Sequence, residues 1–365
     1  MINKDKFDYR QYAAFINREN ELRDLRKFID KEPSEILFLH GPKSSGKTTL
    51  LYKFLEQIEK EQKLDVKFLN LRKLLIPNYK DFLEIFFGVD YSKSKEDVKE
   101  KREYDLKFFK LSVEALKGIK AGELDPFVVM EKEFLKQGKK GIKPVVIIDE
   151  LQAIDKIYME NGKDRQLIIE LFNFFVAMTK ESHLAHIIIA SSDGYFLDTV
   201  YNDSKLKKSS KFYNVDYLPK EDVMEWLLNL ERYSGIKDYT LTPGEAEQIW
   251  DTVGGSMWEI QDILTELFDN PIDDVLKLYK EKMRGIIAHY TEFDKYKKQV
   301  LQVFNDKEIV RSTDLENLPM EMPRLKELLR DMVRNNILYF DPTEAIYFPQ
   351  GRSYQWGIRL YFENG

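Results

Sequence analysis

The chain has no cysteine, only four histidines, and no apolar run of membrane-spanning length. Without thiols, disulfides, iron–sulfur clusters and thiolate zinc sites are excluded. His183 and His186 stand three apart, but no Cys/His cluster joins them, so they do not form a zinc motif. A bilayer span needs about 18 or more apolar residues, and the runs here are far shorter. Net positive charge is lacking too: 57 Lys and Arg face 63 Asp and Glu, a formal −6. A whole-chain field that would attract nucleic acid is therefore absent. The segment MINKDKFDYRQ carries no apolar signal core. These absences lead to the expectation of a soluble, cytoplasmic protein with no membrane partner.

What is abundant is length and charge. The 365 residues exceed one ordinary core and suggest two or three domains. Charged residues make up 33%, above the roughly 25% of an average soluble chain. Lysine and glutamate lead that excess, a bias of proteins that work hot.

From Glu19, apolar residues at Leu22, Leu25, Phe28 and Ile29 follow a helical spacing, with Asn17 as its expected N-cap. Residues 35–40 read as a buried strand. GPKSSGKTT (41–49) comes next, and TTLLYKFLEQIEK continues as an amphipathic helix. VKFLNLR (66–72), PVVIIDE (144–150), AHIIIASSDG (185–194) and KFYNVDYL (211–218) read as further strands. Short apolar strands separated by helices predict a three-layer α/β core with a parallel sheet. Residues 73–143 are charge-rich, mostly helical in pattern, and longer than a usual crossover. After Pro219 the strands stop, and three helical patterns fill 219–290. From Thr291 the order is helix, helix, helix, hairpin, that of a winged-helix module. The expected domains are 1–218, 219–290 and 291–365.

The glycine loop has the residues a phosphate needs. Gly41 and Gly46 permit a tight turn and close approach, while Pro42, Lys43, Ser44 and Ser45 complete the loop. The helix behind it adds the partial positive charge of its N-terminus. Lys47 supplies a full charge to the β- and γ-phosphates, and the Thr48 hydroxyl can ligate magnesium; Thr49 follows. VVIIDE is the partner motif. Its strand would carry Asp149 to the magnesium and leave Glu150 to orient or deprotonate an attacking water. Two strand placements are expected: 66–72 separates the loop strand from the acid strand, and the strand ending ASSD lies beside the acid strand. Ser191, Ser192 or Asp193 could then sense the γ-phosphate.

FINRENELRDL, GPKSSGKTTLL, VVIIDELQ and IIIASSDG, with the helical and winged-helix segments after them, resemble the archaeal ATPase family. That family is a branch of the AAA+/STAND P-loop ATPases. The resemblance implies a P-loop core, a helical lid and a winged helix, binding ATP or ADP with Mg2+. It also implies that Phe15, Ile16, Asn17 and Arg18 line the adenine side. Two departures stand out. Gly254-Gly255-Ser256-Met257 lacks a proline that many relatives carry, and SMWEIQDIL lacks the nucleotide-sensing arginine common in AAA+ proteins. Arg165, Arg330 and Arg352 are the candidates for an arginine finger, each more in keeping with a surface residue.

The helix holding Arg324, Lys326, Arg330 and Arg334 could meet DNA phosphates. Yet 291–365 carries 11 Lys/Arg against 12 Asp/Glu, a net of −1, so DNA is not the favoured partner and a protein partner is equally open. The lysine-rich stretch 201–211 reads as a solvated loop. Two mechanisms fit: Mg-dependent ATP hydrolysis that moves the lid and winged helix, or a slow-turnover ADP/ATP switch signalling to a protein or DNA. A small-molecule kinase is disfavoured, because Asp149-Glu150 and the C-terminal modules are not needed for it.

Overall fold

The computed structural model describes residues 15–87, 118–119, 124–159, 165–202 and 206–363. Most of the helical pattern expected within 73–143 lies outside them, as does part of the lysine-rich stretch.

The first unit alternates helices and strands. It contains α1 (Glu19–Asp30), β1 (Ile36–His40), α2 (Lys47–Ile58), β2 (Leu64–Asn70), α3 (Tyr79–Phe86), α4 (Pro126–Gly138) and β3 (Lys143–Asp149). After these come α5 (Leu167–Val176), β4 (His186–Ala190), α6 (Gly194–Asn202) and β5 (Ser210–Asn214). All five strands pair in parallel, in the order β2-β3-β4-β1-β5. β1 and β4 are buried at every position, as near-continuous aliphatic runs require when helices cover both faces of a sheet. Two apolar layers result, one around Phe38, Ile148 and Ile189, the other around Leu37, Phe54 and Ile147.

The sheet order corrects one expectation. The strand between the loop strand and the acid strand is β4, and β2 lies at the outer edge beyond β3. Parallel crossovers need not insert a strand between its sequence neighbours. The strand ending ASSD does lie beside the acid strand, with Ile148 opposite Ile189 and Asp149 opposite Ala190. The C-terminal ends of β1, β3 and β4 thus meet on one edge, where ligands sit in open α/β sheets.

Helices α7 (Lys220–Leu228), α8 (Leu230–Ser234), α9 (Pro243–Val253), α10 (Met257–Glu266) and α11 (Ile272–Thr291) follow. A Thr242–Glu245 capping box starts α9. Their core gathers Trp226, Ile249, Ile260 and Ile263, and Ile16 from the N-terminal segment joins it. Asn17 does not cap α1: its backbone has φ +46, and its side chain donates to Asp222 of α7.

The third unit has α12 (Lys295–Asp306), β6 (Val310–Arg311), α13 (Ser312–Leu315), α14 (Met322–Arg334), β7 (Leu338–Asp341), β8 (Ile346–Pro349) and α15 (Arg352–Glu363). The β7–β8 hairpin and the two-residue β6 form one antiparallel sheet, β6-β8-β7. The pattern of three helices and a hairpin did not include α15, which returns to pack along α11 and α9. The protein is therefore an α/β P-loop core followed by a helical lid and a winged helix. Among the described residues, no helix is long and apolar enough to cross a membrane.

Candidate nucleotide site

Two glycines shape the phosphate loop. Gly41 has φ +149, and a Cβ there would lie 2.1 Å from the Val215 carbonyl oxygen. Gly46 has φ +93, and its missing Cβ leaves room for the Met257 sulfur of the lid. The loop therefore bends tightly and lets both the core and the lid come close. Arg18 holds it from behind, donating to the Ser45 carbonyl at 3.1 Å and the Asp216 carbonyl at 2.6 Å, with Glu21 at 2.7 Å.

Lys47 starts α2 and is buried. Its ammonium donates to the Gly41 and Pro42 carbonyls at 2.8 Å each and to Ser45 Oγ at 3.3 Å. Burial pulls its pKa down to about 8. An anionic phosphate would favour the charged form.

Asp149, the last residue of β3, is also buried, which pushes its carboxyl up to about 6. Thr48 Oγ1 donates to Asp149 Oδ2 at 2.8 Å, and Asn70 Nδ2 donates to the same oxygen at 3.2 Å. Oδ1 of Asp149 is buried without a hydrogen-bond partner. A buried, one-sided carboxylate beside a hydroxyl suits a hard cation that draws its other ligands from water and phosphate. Magnesium fits this donor set.

Glu150 sits just past the strand in the left-handed region, φ +64, which turns its side chain out of the strand direction. Its carboxylate receives Arg72, Gln152 and, at 3.5 Å, the Ser192 hydroxyl. Arg72 lies in the single 3-10 turn after β2. The expected strand 66–72, set beside the acid strand, gave Arg72 no role; the strand ends at Asn70, opposite Asp149, and the turn after it brings Arg72 to the acid.

Lys47, Thr48, Arg72, Glu150 and Ser192 open into one cavity of about 720 Å3, with Asp149 buried behind Thr48. Its core wall includes Lys43, Ser44, Gly46, Thr48 and Thr49, with Glu150 and Ser192 beside them. Met257, Trp258 and Tyr279 of the lid face them. Phe15 packs against the core cluster and Ile16 lies in the lid core; neither they nor Arg18 line this cavity. Asp193 accepts from the Tyr195 and Phe196 amides and so caps α6, leaving Ser192 as the residue of that turn facing Glu150. The finger candidates point elsewhere. Arg165 is 3.9 Å from Glu170, Arg330 stacks over Tyr195, and Arg352 pairs with Asp251.

A family model described as an ATPase domain predominantly from Archaea matches residues 15–263. An uncharacterized ATP-binding protein of Methanocaldococcus jannaschii is 31% identical over 365 residues, covering 96% of both chains. One from Pyrococcus abyssi is 32% identical over 351 residues, covering 96% of this chain and 98% of its own. In fold, the chain is similar to a Walker-type ATPase of Pyrococcus abyssi, with a TM-score of 0.65 at 18% identity, covering 97% and 99% of the two chains. It is also similar to the Aeropyrum pernix ORC2 protein, with a TM-score of 0.54 at 12% identity, covering 99% and 96%. With the family model matching most of the chain and relatives above 30% identity along nearly all of it, the chain belongs to the P-loop ATPase family found predominantly in Archaea.

Proposed function

We propose that the protein binds Mg-ATP in this cavity and hydrolyses it. The observation that carries the reading is the placement of the Thr48–Asp149 pair and Glu150 at one sheet edge, over the phosphate loop. The ATP-binding relatives, and the ADPNP–ADP complexes of the fold-similar ORC2 protein, support the choice of ligand.

In this reading Lys47 and the loop amides take the β- and γ-phosphates. Thr48 Oγ1 and Asp149 would hold magnesium, whose positive charge would offset that of the phosphates. Glu150 accepts a proton from water as its oxygen bonds the γ-phosphorus and the bond to the ADP oxygen breaks. Since Met257 of the lid touches the loop at Gly46, a nucleotide seated there would move the lid, and with it the winged helix.

A slow-turnover switch is the second reading. It is favoured by Arg72 and Gln152, which occupy the Glu150 carboxylate within the chain itself. A protein or DNA partner that displaces them would then release turnover.

ATP turnover with magnesium, at elevated temperature and with and without duplex DNA, tests both. Glu150→Gln is expected to bind ATP but lose about 100-fold or more in rate. Full activity in Glu150→Gln would overturn the assignment. ATP binding without wild-type turnover would favour the switch.

A further inference from the structure

The third unit is part of the wall of the nucleotide cavity. The turn 349–351, at the end of β8, lies on the phosphate loop. With its carboxamide oriented so that both ends are paired, Gln350 accepts the Lys43 amide at 2.6 Å and donates to the Leu338 carbonyl at 3.2 Å. The Lys43 carbonyl receives the Tyr217 hydroxyl at 3.0 Å, which also reaches the Gln350 carbonyl at 3.3 Å. The Gln350 amide in turn donates to the Ile337 carbonyl at 3.0 Å, which sets Asn336 beside the same turn. Asn336 has φ +55 and lines the cavity that Lys43, Ser192 and Gln350 also line.

A second set of contacts ties the third unit to the end of β4. A Cβ on Gly194 would lie 1.9 Å from the Phe340 carbonyl oxygen. Tyr195 stacks on Phe340 at 5.1 Å between centroids, and its hydroxyl meets that of Tyr347 at 3.0 Å. The segment that carries Ser192 to Glu150 is thus packed directly on the winged helix.

We propose that the winged helix is the third wall of the nucleotide site and reads the terminal phosphate. Gln350 positions the Lys43 end of the loop, and Asn336 offers its carboxamide N–H to the γ-phosphate. The inference rests on the ATP reading of the cavity. A hydrogen bond to an anionic phosphate is charge-assisted, and ADP has no group there to receive it. The contact therefore separates ATP from ADP rather than strengthening both.

Asparagine and glycine both tolerate a left-handed backbone, so Asn336→Gly removes the carboxamide without backbone strain. Asn336→Asp keeps the size and adds a charge that repels phosphate. The test is titration of the full chain, with magnesium, by ADP and by a non-hydrolysable ATP analogue. Asn336→Gly is expected to weaken the analogue about tenfold and ADP by less than about twofold, with the melting temperature unchanged. Asn336→Asp is expected to weaken the analogue further. Equal changes for both nucleotides, or no change for either, would overturn the inference while leaving the ATP site standing. A wild-type chain that binds neither nucleotide would remove the ATP reading and this inference with it.

Discussion

Arg72→Ala separates the two ways in which the chain could use Glu150. The Arg72 side chain is 58% exposed and that of Glu150 is 11% exposed. An ion pair with one partner this open is worth at most about 1 kcal/mol, because water screens the charge and the long side chain loses freedom in the pair. That limit corresponds to about a fivefold change in the population of the held carboxylate. If Arg72 only holds Glu150 aside, its removal should raise single-turnover hydrolysis by up to about fivefold and leave ATP affinity within about twofold. Thermal stability should barely move. The assay is single-turnover hydrolysis at saturating enzyme, with Glu150→Gln and the double variant run alongside. In the double variant the gain should vanish, since no base remains to be freed. A fall of tenfold or more in Arg72→Ala would refute this reasoning and make the guanidinium a direct participant at the phosphates.

Two further predictions concern stability. His186 is buried, and burial holds its pKa at about 4, below the ordinary 6.5. The unfolded chain takes up a proton near pH 6.5 that the folded chain accepts only near 4, so stability is full above this window and falls as pH drops through it. The loss is roughly 3 kcal/mol; urea unfolding across the window should flatten in His186→Leu, and an unchanged slope would refute the assignment. Gly255 sits where the chain enters the lid: a Cβ would come within 1.9 Å of the Leu218 carbonyl oxygen, beside the Leu218 amide that donates to Gly255 at 3.2 Å. Gly255→Ala should cost more than about 2 kcal/mol in equilibrium unfolding, and a neutral result would mean that the crossing can shift.

The local parts of the site were legible because each is coded by a short stretch. GPKSSGKTT needs only its flanking strand and helix to be read, and the run PVVIID, apolar until it meets an acid, marks both the buried strand and its end. The residues around Glu150 were harder. Arg72 reaches it because β2 ends at Asn70, opposite Asp149, and the chain then turns, a break within the expected strand 66–72 that strand periodicity does not encode. Arg18 shows the converse: the resemblance places it at the adenine, yet its guanidinium ties the Ser45 carbonyl of the loop to the Asp216 carbonyl after β5.

By itself, then, the sequence determined the phosphate loop, the acid pair, the parallel α/β core and the order of three units, since backbone conformation and burial period are written in consecutive residues. Tertiary structure decided which strand lies between the motifs, which cation holds Glu150, that Gln350 of the last unit reaches the first unit's loop, and that Asn336 lines the same cavity. These depend on contacts between segments tens to hundreds of residues apart. Such contacts are selected by how whole layers pack, and no local pattern carries that information.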